Sequence, residues 1–423
     1  MSQDLNYSQK WIDQKLPCFK VDPSNIVVLE SPDEFYLQLK SNVTRSKKRI
    51  TFSSLYLGTG YLEEELVKSI DHNLENNAQI EVNFLLDHNR GQRGEISSKS
   101  ILLPLISKFE NRFNLFLYHT PNLRGIVKKI TPERTNETIG VQHMKLYITD
   151  NDLIISGANL STDYFENRQD RYIWIKNCES LCDFFASLIG LVSSFSFQVN
   201  KSGSLTYPQD KIHPVLSNKD NFGQELSTKV KNLLNDFKER ENETDDGDTL
   251  MYPLIQMSDA FIKIDEQVTK NIFEKADQNS KIYLAVGYFN LTDGYMNAIV
   301  KQSTADFDLL LASPEANGFF GAKGLSGYIP SIYSCLEEEF FNFCSLNKQL
   351  DRINLFEYKK TDWTFHGKGL WYYADFKKSQ LPSATIIGSS NFGHRSVHRD
   401  LEANLLICTK DNGLQKQFDR VIY

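Results

Sequence analysis

The chain has no closely paired cysteines. Its six, at 18, 178, 182, 335, 344 and 408, include no CxxC spacing, which argues against a structural zinc site and suits a reducing compartment. There is no basic excess. A formal net charge of -7 does not describe a surface built for a nucleic acid backbone, so no nucleic-acid partner is expected. Long apolar runs are also missing. The best candidate, Leu181 to Val199, carries Asp183, four Ser and one Gly. It reads as a buried helix that at most touches a membrane, not as a span. The first sixteen residues hold two acids, no Arg and no apolar core, so neither a secretory signal nor a usual mitochondrial presequence is expected there. His394-x3-His398 has no HExxH context and no acidic third ligand, and it reads as a surface or helix-end pair. No metal and no cofactor are expected.

What is present is a 423-residue globular composition, 40% hydrophobic and 12% aromatic. That is enough for two or three domains with full cores. The chemistry concentrates in Gln142 to Asp170. Val141 to Thr149 alternates as a strand does, placing His143 and Lys145 on one face. A neutral imidazole can attack an electrophile, and a nearby ammonium can hold a phosphate oxygen. Asp150 follows Lys145 after four residues, and Asn159 closes the next apolar run. The Asn159 amide could orient an imidazole or bind a phosphate oxygen.

The pattern recurs. His366-x-Lys368 is followed by the apolar run ATIIG and Asn391. Asp170 lies eleven residues beyond Asn159, and Glu402 eleven beyond Asn391. This doubled unit resembles the phospholipase D superfamily, whose mark is two His-x-Lys-x4-Asp motifs with an Asn downstream. The first copy matches fully. In the second, Tyr373 stands where the Asp is expected and Asp375 lies two residues later.

The surrounding pattern also repeats. Strands at Arg49–Leu57, Gln79–Leu86 and Phe113–Tyr118 alternate with helices at 60–76 and 97–111. They are echoed by strands at Lys281–Phe289, Phe307–Ser313 and Arg352–Lys359. The expected fold is α/β, with two pseudo-twofold-related phospholipase D-like domains, each a mixed, mainly parallel sheet flanked by helices. The halves are assigned to residues 1–201 and 251–423. Residues 202–250 form a linker ending in the acidic loop ERENETDDGD, and Pro121–Thr138 a basic loop.

Further segments, among them LLDHNRGQRGE, QHMKLY, SGANLSTDYFENRQDRY, ASPEANGFFGAKG and IGSSNFGHRS, resemble the eukaryotic phosphatidylglycerophosphate synthase family from about residue 26 onward. The resemblance implies CDP-diacylglycerol as donor, glycerol-3-phosphate as acceptor and CMP as leaving group, in a step towards cardiolipin at the mitochondrial inner membrane, with peripheral membrane contact. It implies catalytic roles for His143, Lys145, Asp150, Asn159, His366, Lys368 and Asn391. Arg90, Arg93, Lys323, Arg168, Arg171, Asp170 and Glu402 are expected to face the substrates; the five cations are candidates for the acceptor's phosphate. Rival readings are a serine-accepting phosphatidylserine synthase, a phospholipase or nuclease with water as acceptor, and a catalytically dead lipid-binding protein. Of the two histidines, His143 is expected to be the nucleophile.

Overall fold

The computed structural model of the chain describes residues 10–12, 16–125, 136–240 and 247–421. Two nine-stranded mixed sheets carry it. In the first, Arg49–Ser53, Glu81–Asp87 and Phe113–Tyr118 run parallel. Leu146–Thr149, Asp152–Ser156, Tyr172–Ile175 and Ile26–Leu29 then extend the sheet antiparallel from Arg49–Ser53. In the second, Lys281–Val286, Asp306–Ala312 and Ile353–Tyr358 run parallel. Lys368–Tyr373, Ala384–Gly388, Leu401–Cys408 and Thr249–Met257 continue it antiparallel. Over these seven strands the two orders correspond, as the duplicated sequence pattern requires. Parallel strands need crossover helices, and those helices start where the sequence supplies caps. Ser31 accepts the Glu34 N–H ahead of Pro32–Arg45, and Ser97 with Ser100 forms a capping box ahead of Ser98–Lys108.

Of four features, three depart from the sequence reading and the second agrees with it. First, the strand expected over 141–149 begins only at Leu146. Residues 141–145 are drawn away from their own sheet, and Gln142 bridges to Leu401 of the other half. Second, most of the Leu181–Val199 run lies in the core helix Glu179–Ser193, with Leu181, Phe184, Phe185, Leu188 and Val192 buried, and its end, Phe197–Val199, is a strand paired with Phe113–Tyr118. The helix's apolar face meets protein rather than a bilayer. No helix among the described residues is long and apolar enough to cross a membrane. Third, the linker contains a 21-residue helix, Lys219–Glu239, packed on Glu179–Ser193. Phe222, Leu226, Val230, Leu234 and Phe237 form its buried stripe, a helical period readable in the sequence. Fourth, Phe19–Val21 pairs with Thr249–Met257, so the start of the chain completes the sheet of the second half. Much of the basic loop and of ERENETDDGD lies outside the described residues.

Candidate active site

The halves are stitched together where the motifs lie. Thr364–Phe365 pairs in parallel with Arg168–Gln169. The His366 N–H donates to the Gln169 carbonyl at 2.8 Å, and the His143 N–H donates to the Leu401 carbonyl at 2.9 Å. Each motif histidine is therefore tied by its backbone to the residue just before the other half's carboxylate.

The side chains repeat the exchange. His143 Nδ1 lies 2.9 Å from Glu402 Oε2, and His366 Nδ1 lies 2.6 Å from Asp170 Oδ2. Asp170 and Glu402, grouped above with the substrate-facing residues, instead orient the imidazoles. Both are fully buried, so an Nδ1–H donated to each keeps a buried carboxylate paired. Lys145 Nζ donates to the His143 carbonyl at 2.7 Å and Lys368 Nζ to the His366 carbonyl at 2.8 Å. Lys368 also stands 3.5 Å from Asp170. Gly157 makes room for this pair: a Cβ there would fall 2.7 Å from Asp170 Oδ1 and 2.8 Å from Lys368 Nζ.

The two imidazoles differ at Nε2. His366 Nε2 is 3.2 Å from the Tyr164 hydroxyl, which accepts from Asn159 Nδ2 at 3.2 Å. Asn159 is thus linked to an imidazole through a tyrosine. His143 Nε2 has no hydrogen-bond partner among the described residues, and His143 is the more exposed of the two, 9% against 3%. Five residues beyond Asn391, where the first copy has Tyr164, the second has Ser396. Ser396 Oγ accepts the Asn391 N–H at 3.0 Å and donates to Glu402 at 2.7 Å. The Asn391 side-chain oxygen is buried with no hydrogen-bond partner among the described residues. Tyr164 and Ser396 escaped the sequence reading, although aligning the copies on their Asn residues puts them in register.

Asp150 is not part of this cluster. Its carboxylate accepts the N–H groups of Lys47, Lys48 and Arg49, and its φ of 51° closes the turn between Leu146–Thr149 and Asp152–Ser156. The motif's Asp is a turn residue. The second half replaces it with packing: the Tyr373 hydroxyl donates to Asp419 at 2.7 Å, while Asp375 pairs with Lys378 at 2.7 Å. Neither is linked to a motif histidine.

Electrostatics follow from burial. Burial, helped by Lys145, holds His143 below its ordinary range against the pull of Glu402. Burial and the Lys368 and Arg168 charges push His366 well below it. Both imidazoles are thereby kept neutral. Burial would raise the Glu402 carboxyl, but His143 and Lys145 outweigh it and bring it down to about 2. Burial raises Asp170 despite Lys368. Burial also lowers both lysines, Lys145 further aided by the Lys368 charge. An anion arriving beside the two ammonium groups would favour their charged forms. His143, Asp400 and Glu402 could bring ligand atoms within 4.8 Å of one another. Those atoms already serve one another and Arg395, which lies 3.2 Å from Asp400, so the set does not fit a resident cation.

The five expected acceptor cations divide. Arg171 is buried. It donates to the Ile386 carbonyl and to Thr385 Oγ1, both at 2.7 Å, and lies 3.7 Å over the Trp371 ring. It is a brace between halves, not a substrate contact. Arg93 and Arg90 lie 2.6 and 3.6 Å from Glu137, and Arg90 also covers the Tyr56 ring. Lys323 is exposed in the loop after Asp306–Ala312. Arg168 lies 4.8 Å over the Tyr164 ring, 3.0 Å from Thr364 Oγ1 and 3.1 Å from Asp163. It is the one of the five set beside His366. His394 and His398 form an exposed ring pair, as the sequence suggested.

No protein-family profile matches the chain. Among curated proteins, it is 42% identical over 442 residues to the mitochondrial CDP-diacylglycerol–glycerol-3-phosphate 3-phosphatidyltransferase of Gallus gallus. That match covers 96% of this chain and 79% of the relative. It is 42% identical to the Homo sapiens protein of the same name, over 96% of this chain and 78% of that one. The Saccharomyces cerevisiae CDP-diacylglycerol–glycerol-3-phosphate 3-phosphatidyltransferase is 36% identical, over 98% and 84%. Among solved structures, the phosphatidylserine synthase of Haemophilus influenzae shares the fold. Its TM-score is 0.73 at 18% identity, covering all of this chain and 90% of that one.

Proposed function

The chain belongs to the CDP-diacylglycerol–glycerol-3-phosphate 3-phosphatidyltransferase family and makes phosphatidylglycerophosphate, and we propose that it does so through a phosphohistidine on His143. His143 Nε2 attacks the phosphorus that bears the diacylglycerol. An N–P bond forms and the P–O bond to CMP breaks; His366 takes up a solvent proton at Nε2 as the anionic donor binds, and delivers it to the departing CMP oxygen. His366, now neutral, takes the proton of a glycerol-3-phosphate hydroxyl. That oxygen attacks phosphorus, the N–P bond breaks and Nε2 regains its lone pair. Lys145 and Lys368 neutralise the phosphoryl oxygens during both displacements. Asp170 and Glu402 hold the Nδ1–H tautomers, as positioning residues.

The observation that carries the assignment is the asymmetry at Nε2. The Tyr164 hydroxyl engages His366, whereas His143 is open to an incoming electrophile. The acceptor then lies on the His366 side, and Arg168, beside Tyr164, is the cation placed to take its phosphate. The enzyme works in contact with a membrane, supplies a step towards cardiolipin and resides at the mitochondrial inner membrane; the names of the vertebrate relatives support the organelle.

Donor labelled in the phosphatidyl group, mixed with enzyme without acceptor, tests this. His366→Ala should retain label on His143, and His143→Ala should retain none. Label on His366 would reverse the roles. The stereochemical outcome at phosphorus should be net retention. Offering glycerol-3-phosphate, serine and water in parallel should yield product with glycerol-3-phosphate.

A further inference from the structure

A donor with two acyl chains has to reach His143 from a bilayer, and the docking surface argued below rests on that reading of the reaction. An aromatic path leads outward from the cleft. The Tyr288 ring lies 5.4 Å from that of His366, with Phe319 at 5.8 Å and Tyr333 stacked at 5.6 Å beyond it. The path emerges at the loop after Asp306–Ala312 and at the first turn of the helix Ile329–Leu346. There Phe320, Tyr328 and Ile332 are 61%, 67% and 55% exposed. Single exposed apolar side chains are ordinary, but a cluster beside a functional cleft marks a contact surface.

Cations stand beside it, together with the exposed carboxylates of Glu315, Glu357 and Asp362. The Ser313 N–H donates to the Tyr358 carbonyl, which brings the next residues, Lys359 and Lys360, against this loop. Both lysines are exposed. Lys359 lies 3.5 Å from Glu315, and Lys360 lies 3.2 Å over the Trp363 ring with no ion-pair partner among the described residues. Phe, Tyr and Trp flanked by Lys is the composition that settles at the headgroup level of an anionic bilayer. Further along the same helix Glu338 and Glu339 are exposed, which confines the footing to its first turn. The geometry points to the rim formed by Phe320, Tyr328, Ile332, Lys359 and Lys360 as the surface that docks on an anionic membrane. It holds the cleft mouth at the headgroups while the donor's acyl chains remain in the lipid.

Flotation of the full chain with phosphatidylcholine–phosphatidylglycerol vesicles, and with phosphatidylcholine vesicles, tests this. Phe320→Ser with Ile332→Ser should lower partition onto the anionic vesicles roughly tenfold or more. Turnover of vesicle-embedded CDP-diacylglycerol should fall with it, and turnover of a water-soluble short-chain donor should not. Lys359→Glu with Lys360→Glu should abolish the preference for anionic vesicles. Leu216→Ser with Phe261→Ser, at positions 81% and 55% exposed on other parts of the surface, should change nothing. The proposal is overturned if the wild type does not float, if the Phe320/Ile332 variant floats as the wild type does, or if the Leu216/Phe261 variant is the one that detaches. Should the Phe320/Ile332 variant also lose short-chain turnover, the lysine pair decides: unaltered anionic preference overturns the rim. A wild type that floats but turns over neither donor leaves the docking surface standing and removes the reaction reading.

Discussion

At the scale of the residue, the site gives two chemically equal imidazoles different surroundings. Glu402 is the lever on His143. Its charge favours the imidazolium, while burial and Lys145 disfavour it. Glu402→Gln removes the favourable charge, so His143 should titrate at still lower pH. The acid limb of kcat/KM should move to lower pH, with its plateau down about a hundredfold or more as the Nδ1–H tautomer loses its partner. A pH profile of the variant checks both, and a limb moving to higher pH would contradict the assigned sign. Linkage runs the same way for stability. An imidazole whose folded pKa is lowered stays neutral while the unfolded chain protonates, so both histidines should cost stability as pH falls below about 6.5. Arg168→Ala should raise KM for glycerol-3-phosphate by about ten- to a hundredfold, the loss of one charge-assisted contact of about 1.5–3 kcal/mol. The KM for CDP-diacylglycerol should stay near its wild-type value. Steady-state kinetics with each substrate varied in turn would show the split.

At the scale of the element, the site depends on short segments that leave their own sheets. Residues 141–145 and Thr364–Phe365 reach across to Leu401 and to Arg168–Gln169. The period-two pattern that makes 141–149 look like one strand marks extended backbone, but it does not say which strand each part pairs with. The turn after Asp152–Ser156 has a similar constraint at Gly157. Gly157→Ala would force a methyl into the Lys368–Asp170 pair. Displacing that pair by a fraction of an ångström should lower kcat by about a hundredfold. A Gly157→Ala enzyme with unchanged kcat would mean the pair can give way. The helix Lys219–Glu239 shows the opposite case. Its stripe of buried residues is legible in the sequence, but the polar, acidic end of the segment outweighs it and gives the whole stretch the composition of a linker.

At the scale of the whole molecule, each half completes the other. The His143–Glu402 bond spans 259 residues and the His366–Asp170 bond spans 196. Arg171 fastens the halves beside them. Its guanidinium reaches the Ile386 carbonyl, and Gly369 leaves the space for it, because a Cβ there would meet Arg171 Nη1. Arg171→Met should leave that carbonyl unpaired and buried, at a cost of about 1.5–3 kcal/mol. The midpoint of thermal unfolding should fall and kcat/KM should drop with it. A variant that melts as the wild type does would deny Arg171 this role.

By itself the sequence determined the duplication, the strand and helix order of both halves, and the two His-x-Lys pairs. These follow from local periodicity and from residue types whose chemistry does not depend on their neighbours. Even the carboxylates were visible, at equal spacing from the two Asn residues. Only the tertiary structure decided whom they serve. Spacing along a chain places Asp150 close to His143 in sequence, but a left-handed turn aims it at the backbone of residues 47–49. Packing of one half against the other brings in Glu402 instead. Tyr164 on His366 and the open Nε2 of His143 were likewise settled by that packing, because a hydrogen bond between halves is a property of their docking and not of either sequence copy.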